Sequence, residues 1–190
     1  MKRYNEPDLE KVLSGDVLYM AIEKSGSEQL NQQSCDCNRL MIVMADKILS
    51  VEHQKQYDDW HEKLCLRIRK HYRDSGFDMT IGQVQKWVNM TMKYLFVADV
   101  PGTADAFYFC HVPIDSYIIS AAEEQLNLER PALPWSKMDD YREYAEYEKQ
   151  IRMRLGNVAP LEWEFKTWIT MAVNKKESEH TSRAEREMKK

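Results

Sequence analysis

From Gln54 to Tyr72 apolar side chains recur every three or four residues, at Tyr57, Trp60, Leu64 and Ile68. That spacing lines them along one stripe of an α-helix. The same period runs through most of the chain. Leu9, Val12, Leu13, Val17, Leu18 and Ala21 predict a first helix, opened by Pro7-Asp8 and closed near Ser25-Gly26-Ser27. Leu40, Met41, Val43, Met44, Ile48 and Leu49 predict a second, from about Asn38 to Val51. The third is the Gln54–Tyr72 helix, broken by Asp74-Ser75-Gly76. A connector, Phe77 to Gly82, leads into a fourth from about Gln83 to Val97. Val84, Val88, Thr91 and Leu95 share one of its faces, while Lys86, Met90 and Lys93 share another.

After Pro113 a fifth helix begins near Asp115, with Ile118, Ile119 and Ala122 turned inward. Glu129 to Pro134 reads as a linker. Ser136 and Asp139 predict a capping box for a sixth helix that ends at Leu155 before Gly156-Asn157. Its Tyr141, Tyr144 and Tyr147 read as a packing stripe. Pro160 opens a last helix, Leu161 to about Val173. No alternating pattern is long enough for a strand, although Phe107–Cys110 fits either type. The expectation is an all-α fold, one domain of about seven helices over residues 1–174. Residues 175–190 carry charge without an apolar stripe, and a disordered tail is expected there.

Composition narrows the classes. Of 190 residues, 43% are hydrophobic and 31% charged, the balance of a globular chain rather than a disordered one. Six Gly and six Pro are too few for a loop-rich β-sandwich. No window reaches the ~18 uncharged apolar residues of a membrane span, and the first residues lack the apolar run of a secretory signal. A cytoplasmic place is expected, at the nucleoid if the source is prokaryotic, with no membrane partner. Cys35-Asp36-Cys37 is too tight for a zinc knuckle and has no second pair. Together with Cys65 and Cys110 these are expected to be free thiols, with no metal and no cofactor. The net charge of −4 counts against phosphate binding. Between His53 and Leu95, however, eight basic side chains face five acidic ones, a local excess of three.

The candidate chemistry lies in that basic stretch and just beyond it. A hairpin containing Gly lets backbone N–H groups approach a phosphate, and the next helix start adds a favourable dipole. A lysine in the first turn of such a helix sits in a positive field. That field, like burial, favours the neutral amine, the form that attacks a sugar C1′. Lys86 is placed to do this. The run His111-Val112-Pro113-Ile114-Asp115 follows, with Asp115 twenty-nine residues after Lys86. An Asp at a helix start is held ionised by free N–H groups and can stabilise a developing sugar cation or help deprotonate the amine.

These residues resemble the helix-hairpin-helix DNA glycosylases, and the archaeal-type 8-oxoguanine enzymes most of all. Val112-Pro113-Ile114-Asp115 matches the family's turn that carries the catalytic Asp. Gln85-Lys86, with Lys93 seven residues on, matches its nucleophile helix. The resemblance spans about Trp60 to Leu126, a third of the chain. Met79-Thr80-Ile81-Gly82-Gln83 departs from the family's Leu-Pro-Gly-Val-Gly hairpin by keeping one Gly and no Pro.

The resemblance implies two helical lobes around a cleft and a DNA glycosylase with lyase activity that excises a modified base, 8-oxoguanine first. It also implies Lys86 as the Schiff-base nucleophile and Asp115 as its partner. Gly82, Gln83, Gln85 and Lys93 would contact double-stranded DNA. Trp60, Trp87, His111, Trp163 and Phe165 are candidates for the pocket of an extruded base, with Trp168 close behind. Each has a plainer role as well: an exposed lysine, a helix cap, a core aromatic, a hydrogen-bonded structural His. A monomer is expected. The rival expectation is a helical DNA-binding or protein-interaction module without catalysis. Within the enzyme expectation, a defence glycosylase acting on hypermodified phage bases is the alternative, and a helical toxin or antitoxin partner with no DNA role is a third expectation.

Overall fold

The computed structural model describes residues 51–97 and 103–168. The first predicted helix, most of the second, Cys35, Cys37, residues 98–102 (where Pro101-Gly102 predicts a loop), the end of the last helix and the tail lie outside them. The described residues are all helical apart from turns and extended connections, with no strand among them. The helices are α1 (Gln54–Asp74), α2 (Ile81–Val97), α3 (Thr103–Ala106), α4 (Ser116–Leu126), α5 (Tyr141–Leu155) and α6 (160–168). Two 3-10 turns, Phe107–Phe109 and Trp135–Lys137, interrupt the connections. No described helix is long and apolar enough to cross a membrane.

The predicted stripes are buried. Tyr57, Trp60, Leu64 and Ile68 of α1 meet Val84, Val88, Thr91 and Leu95 of α2, and Tyr141, Tyr144 and Tyr147 of α5 join them. α1 ends where Gly76 turns left-handed at φ +87°, so that Phe77 N–H reaches back to the Tyr72 carbonyl at 2.9 Å. α2 begins two residues before the predicted start. Thr80 Oγ1 accepts from Gln83 N–H at 3.2 Å, and Gln83 Oε1 accepts from Thr80 N–H at 3.0 Å. This is a capping box, placed where none was expected.

The box predicted at Ser136 does not form. Ser136 lies in the 3-10 turn after Pro134, and its carbonyl accepts from Thr80 Oγ1 at 2.9 Å. Asp140 caps α5 instead, accepting from Arg142 N–H at 2.9 Å. The ambiguous Phe107–Cys110 run is a 3-10 turn that hands over to extended backbone.

That backbone, Cys110 to Ile114, is buried. A buried non-helical segment needs partners for its N–H and C=O groups. Side chains from three helices supply them. Asn89 Nδ2 donates to Val112 O at 2.9 Å, and Val112 N–H donates to Glu148 Oε2 at 3.3 Å. Gln85 Nε2 donates to Ile114 O at 2.7 Å, while its Oε1 accepts from Ile114 N–H at 3.2 Å. From α1, Gln54 Nε2 donates to Phe109 O at 3.0 Å, just upstream. Arg152 donates to the carbonyls of Tyr108, Phe109 and Cys110. The segment that delivers Asp115 is thus held by both faces of the helical core.

Candidate active site

Asp115 is the residue before α4, with extended backbone. Its Oδ1 accepts from the N–H groups of Tyr117 at 2.9 Å and Ile118 at 3.0 Å. Its Oδ2 is left to face Lys86, whose Nζ donates to it at 3.0 Å. One carboxylate therefore caps a helix and holds an amine. Lys86 is the sixth residue of α2, beyond the first turn, because the helix starts earlier than its pattern suggested. The helix-end field falls off within one turn, so Asp115 rather than the dipole dominates the charge around the amine. The Lys86 side chain is 31% exposed and that of Asp115 17%, so both reach solvent.

The second lysine on this face behaves differently. Lys93 Nζ donates to Glu164 Oε1 at 2.8 Å and lies 2.7 Å from Oε2, and both side chains are buried. Its charge sits 4.6 Å from the centre of the Phe165 ring and 5.6 Å from that of Trp168. Burial raises the Glu164 carboxyl above the usual range, against the bond and charge of Lys93, and the negative charge of Asp115 raises it further. The two ion pairs share one electrostatic neighbourhood.

Other predicted site residues serve the fold. Gly82 is buried, and its N–H donates to Met138 O at 2.9 Å, which takes it out of the phosphate-binding role. Gln83 is exposed but spends its amide oxygen on the Thr80 cap. Gln85 is fully buried on Gly82 and Ile114 backbone and on Asn89, and so presents nothing to DNA. Lys93 is likewise committed to Glu164 rather than to a surface.

Trp60 packs on Tyr57 and Trp87 on Tyr72, both within the core. Trp163 is buried with its indole N–H on Gln125 Oε1 at 2.9 Å, which ties α6 to α4. His111 is 3% exposed and bridges Tyr144 OH at 2.9 Å to Asp58 Oδ1 at 2.8 Å, the structural alternative considered for it. Of the aromatic candidates, Phe165, half-buried, and Trp168, 53% exposed, are the ones that reach the surface.

Asn89, Glu164 and Trp135 had not been singled out. Asn89 and Gln85 are four residues apart, polar side chains on the buried face of α2, and that mismatch was visible. Glu164 sits between Trp163 and Phe165, a charge at an apolar position of α6. Trp135 comes directly after the predicted linker Glu129 to Pro134 and before the next apolar stripe, so no periodicity marked it. Its ring centre lies 5.0 Å from Lys86 Nζ.

Among the described residues no three His, Cys, Asp or Glu side chains converge as a metal site. Cys65 and Cys110 are free and buried, and burial pushes the Cys110 thiol up to about 12, a poor nucleophile. No family model, curated protein or solved structure matches the chain.

Proposed function

We propose that this protein is a DNA glycosylase with lyase activity, removing an oxidised or otherwise modified base by way of Lys86. The observation that carries the reading is the 3.0 Å contact between a partly buried amine that still reaches solvent and a carboxylate whose other oxygen is fixed by a helix start. The α1–connector–α2 unit stands for the family's helix-hairpin-helix.

In the neutral form, the Lys86 nitrogen bonds to C1′ of the extruded nucleotide. The bond from C1′ to the base breaks, and the base leaves with the electron pair. The surplus proton on nitrogen passes to Asp115, at hydrogen-bond distance. Before that transfer, the ionised Asp115 steadies the positive character of the sugar. The C1′–O4′ bond then breaks, O4′ takes the proton held by Asp115, and the nitrogen lone pair closes a protonated Schiff base to C1′. Phe165 and Trp168, packed beside the buried Lys93–Glu164 pair, offer aromatic faces to a base near the same site. 8-Oxoguanine is the first substrate to test, and hypermodified phage bases the second.

The engaged N–H of Gly82 favours a second reading, a helical binding module without catalysis, since it removes one phosphate donor from the hairpin. Borohydride trapping on duplexes carrying a modified base separates the two. Wild type is expected to cross-link to the duplex and Lys86→Gln is not. Salt-dependent DNA binding without any cross-link gives the binding module instead.

A further inference from the structure

The 3-10 turn Trp135–Lys137 is pinned to the start of α2 at three points. Gly82 N–H donates to Met138 O, and Thr80 Oγ1 donates to Ser136 O, each at 2.9 Å. The third point is a notch. A Cβ on Gly82 would lie 1.7 Å from the Trp135 carbonyl oxygen. Only a residue without a side chain lets the turn sit this close to the helix. Four residues along, one turn of the same helix, Lys86 presents its amine to the Trp135 ring at 5.0 Å. The glycine that reads in sequence as a phosphate clamp is in fact the seat of an aromatic wall beside the amine.

We infer that Trp135 is a positioning residue of the amine site, holding Lys86 toward Asp115 and facing the cation that Lys86 forms with an aldehydic sugar. This rests on the Schiff-base reading above. With an abasic deoxyribose, the Lys86 nitrogen adds to the C1′ aldehyde. One proton moves from nitrogen to oxygen and a second comes from solvent, water leaves, and a protonated imine remains. That delocalised cation, less hydrated than an ammonium, gains from the Trp135 ring and from the Asp115 carboxylate, both beside the Lys86 nitrogen. The hydrogen bonds of the turn are made by main-chain groups and the Thr80 hydroxyl, while the Trp135 ring adds packing against the core, part of which Trp135→Phe retains.

Two measurements test the role. In the first, the protein's lysines are reductively methylated with ¹³C-formaldehyde and borohydride, and the Lys86 methyl signal is assigned by its absence in Lys86→Gln. A ring over the amine shifts that signal upfield. Trp135→Leu is expected to return it toward the other lysines, and Trp135→Phe to keep part of the shift. A Lys86 signal that is the same in wild type and Trp135→Leu overturns the inference whatever the protein does to DNA.

In the second, borohydride donates hydride to the imine carbon on an abasic-site duplex and fixes the cross-link. Trp135→Leu is expected to trap roughly three- to thirtyfold more slowly, with its pH profile moved, and Trp135→Phe to recover most of the rate. Equal trapping by wild type and Trp135→Leu also overturns it. Absence of trapping by wild type, with the upfield signal present, sinks the Schiff-base reading and this catalytic positioning with it, and leaves the Trp135 contact as a structural one.

Discussion

Gly82→Ala reverses the usual sign of a helix substitution. Replacing Gly by Ala inside a helix ordinarily stabilises by about 1 kcal/mol, because Ala loses less backbone freedom on folding. At Gly82 the new methyl would lie 1.7 Å from Trp135 O and 2.8 Å from Trp135 C, both backbone atoms. Ordinary contact begins at 3.4 Å, so the turn must retreat by 3.4 minus 1.7, or 1.7 Å, along that line. Overpacking of this kind costs about 1–3 kcal/mol. A retreat that large also breaks the Gly82–Met138 and Thr80–Ser136 hydrogen bonds, each worth about 1 kcal/mol. Set against the gain in propensity, the net loss is about 2–4 kcal/mol. Urea unfolding followed by circular dichroism reads it directly. In the folded fraction the Lys86 methyl signal should lose its upfield shift as the turn withdraws. A Gly82→Ala protein at least as stable as wild type, with that signal unmoved, would refute the notch.

Two further substitutions probe the interior. Gln85→Leu strands the N–H and C=O of Ile114 in the core, at about 1–3 kcal/mol each. Urea midpoints should fall accordingly, and any protein still folded should trap abasic DNA poorly because Asp115 has lost its mooring; unchanged stability would mean that the clamp is not made. His61 tests the pH dependence. It is buried between Tyr141 OH at 2.8 Å and Asn89 Oδ1 at 2.9 Å. Burial, then the charge of His111, holds its pKa well below 6.5, against the bond to Asn89.

With the folded value depressed, the unfolded chain binds the proton first, so stability is lost as pH falls below 6.5, by about 1.4 kcal/mol per pH unit. Glu148 and Glu164, both raised chiefly by burial, act oppositely and gain stability as pH falls toward 4.5. Asp58, where the bond and charge of His111 outweigh burial and lower the pKa, matters only below 3.8. The slope between pH 6.5 and 5.5 should therefore flatten in His61→Gln relative to wild type. Equal slopes in the two proteins would show that His61 does not carry it.

The helices of the core were legible because burial there is written in a single period. Tyr57, Trp60, Leu64 and Ile68 could share no surface except the inner one, and the structure buries all four. The Lys86–Asp115 pairing was legible for another reason: two short motifs, Gln85-Lys86 and Val112-Pro113-Ile114-Asp115, resemble those of one family, although the start of α2 was placed two residues late. Trp135 was not, since its approach to Lys86 depends on a main-chain notch between segments more than fifty residues apart. Nothing in the local pattern of Pro131 to Ser136 encodes that approach. Gln85 was misread for a related cause. An amide next to the candidate nucleophile suggests a ligand contact, yet a buried extended segment left backbone groups that only a side chain of its shape could satisfy.

The two lysines of α2 show how burial divides one pattern into two roles. Seven residues apart, they lie on nearly the same face, and either spacing argument makes both candidates for the nucleophile. Lys93 is enclosed. It straddles a buried carboxylate, and moving it toward a substrate would leave Glu164 charged and alone in an apolar setting, a loss of about 3–5 kcal/mol. Lys86 keeps a third of its side chain in solvent, and its partner Asp115 remains satisfied by two backbone N–H groups when the amine leaves. An attacking group must part from its resting partner at little cost, and on this helix Lys86 alone meets that condition. Lys93 is left to set the charge and the aromatic surroundings near the amine that the proposed reaction would use.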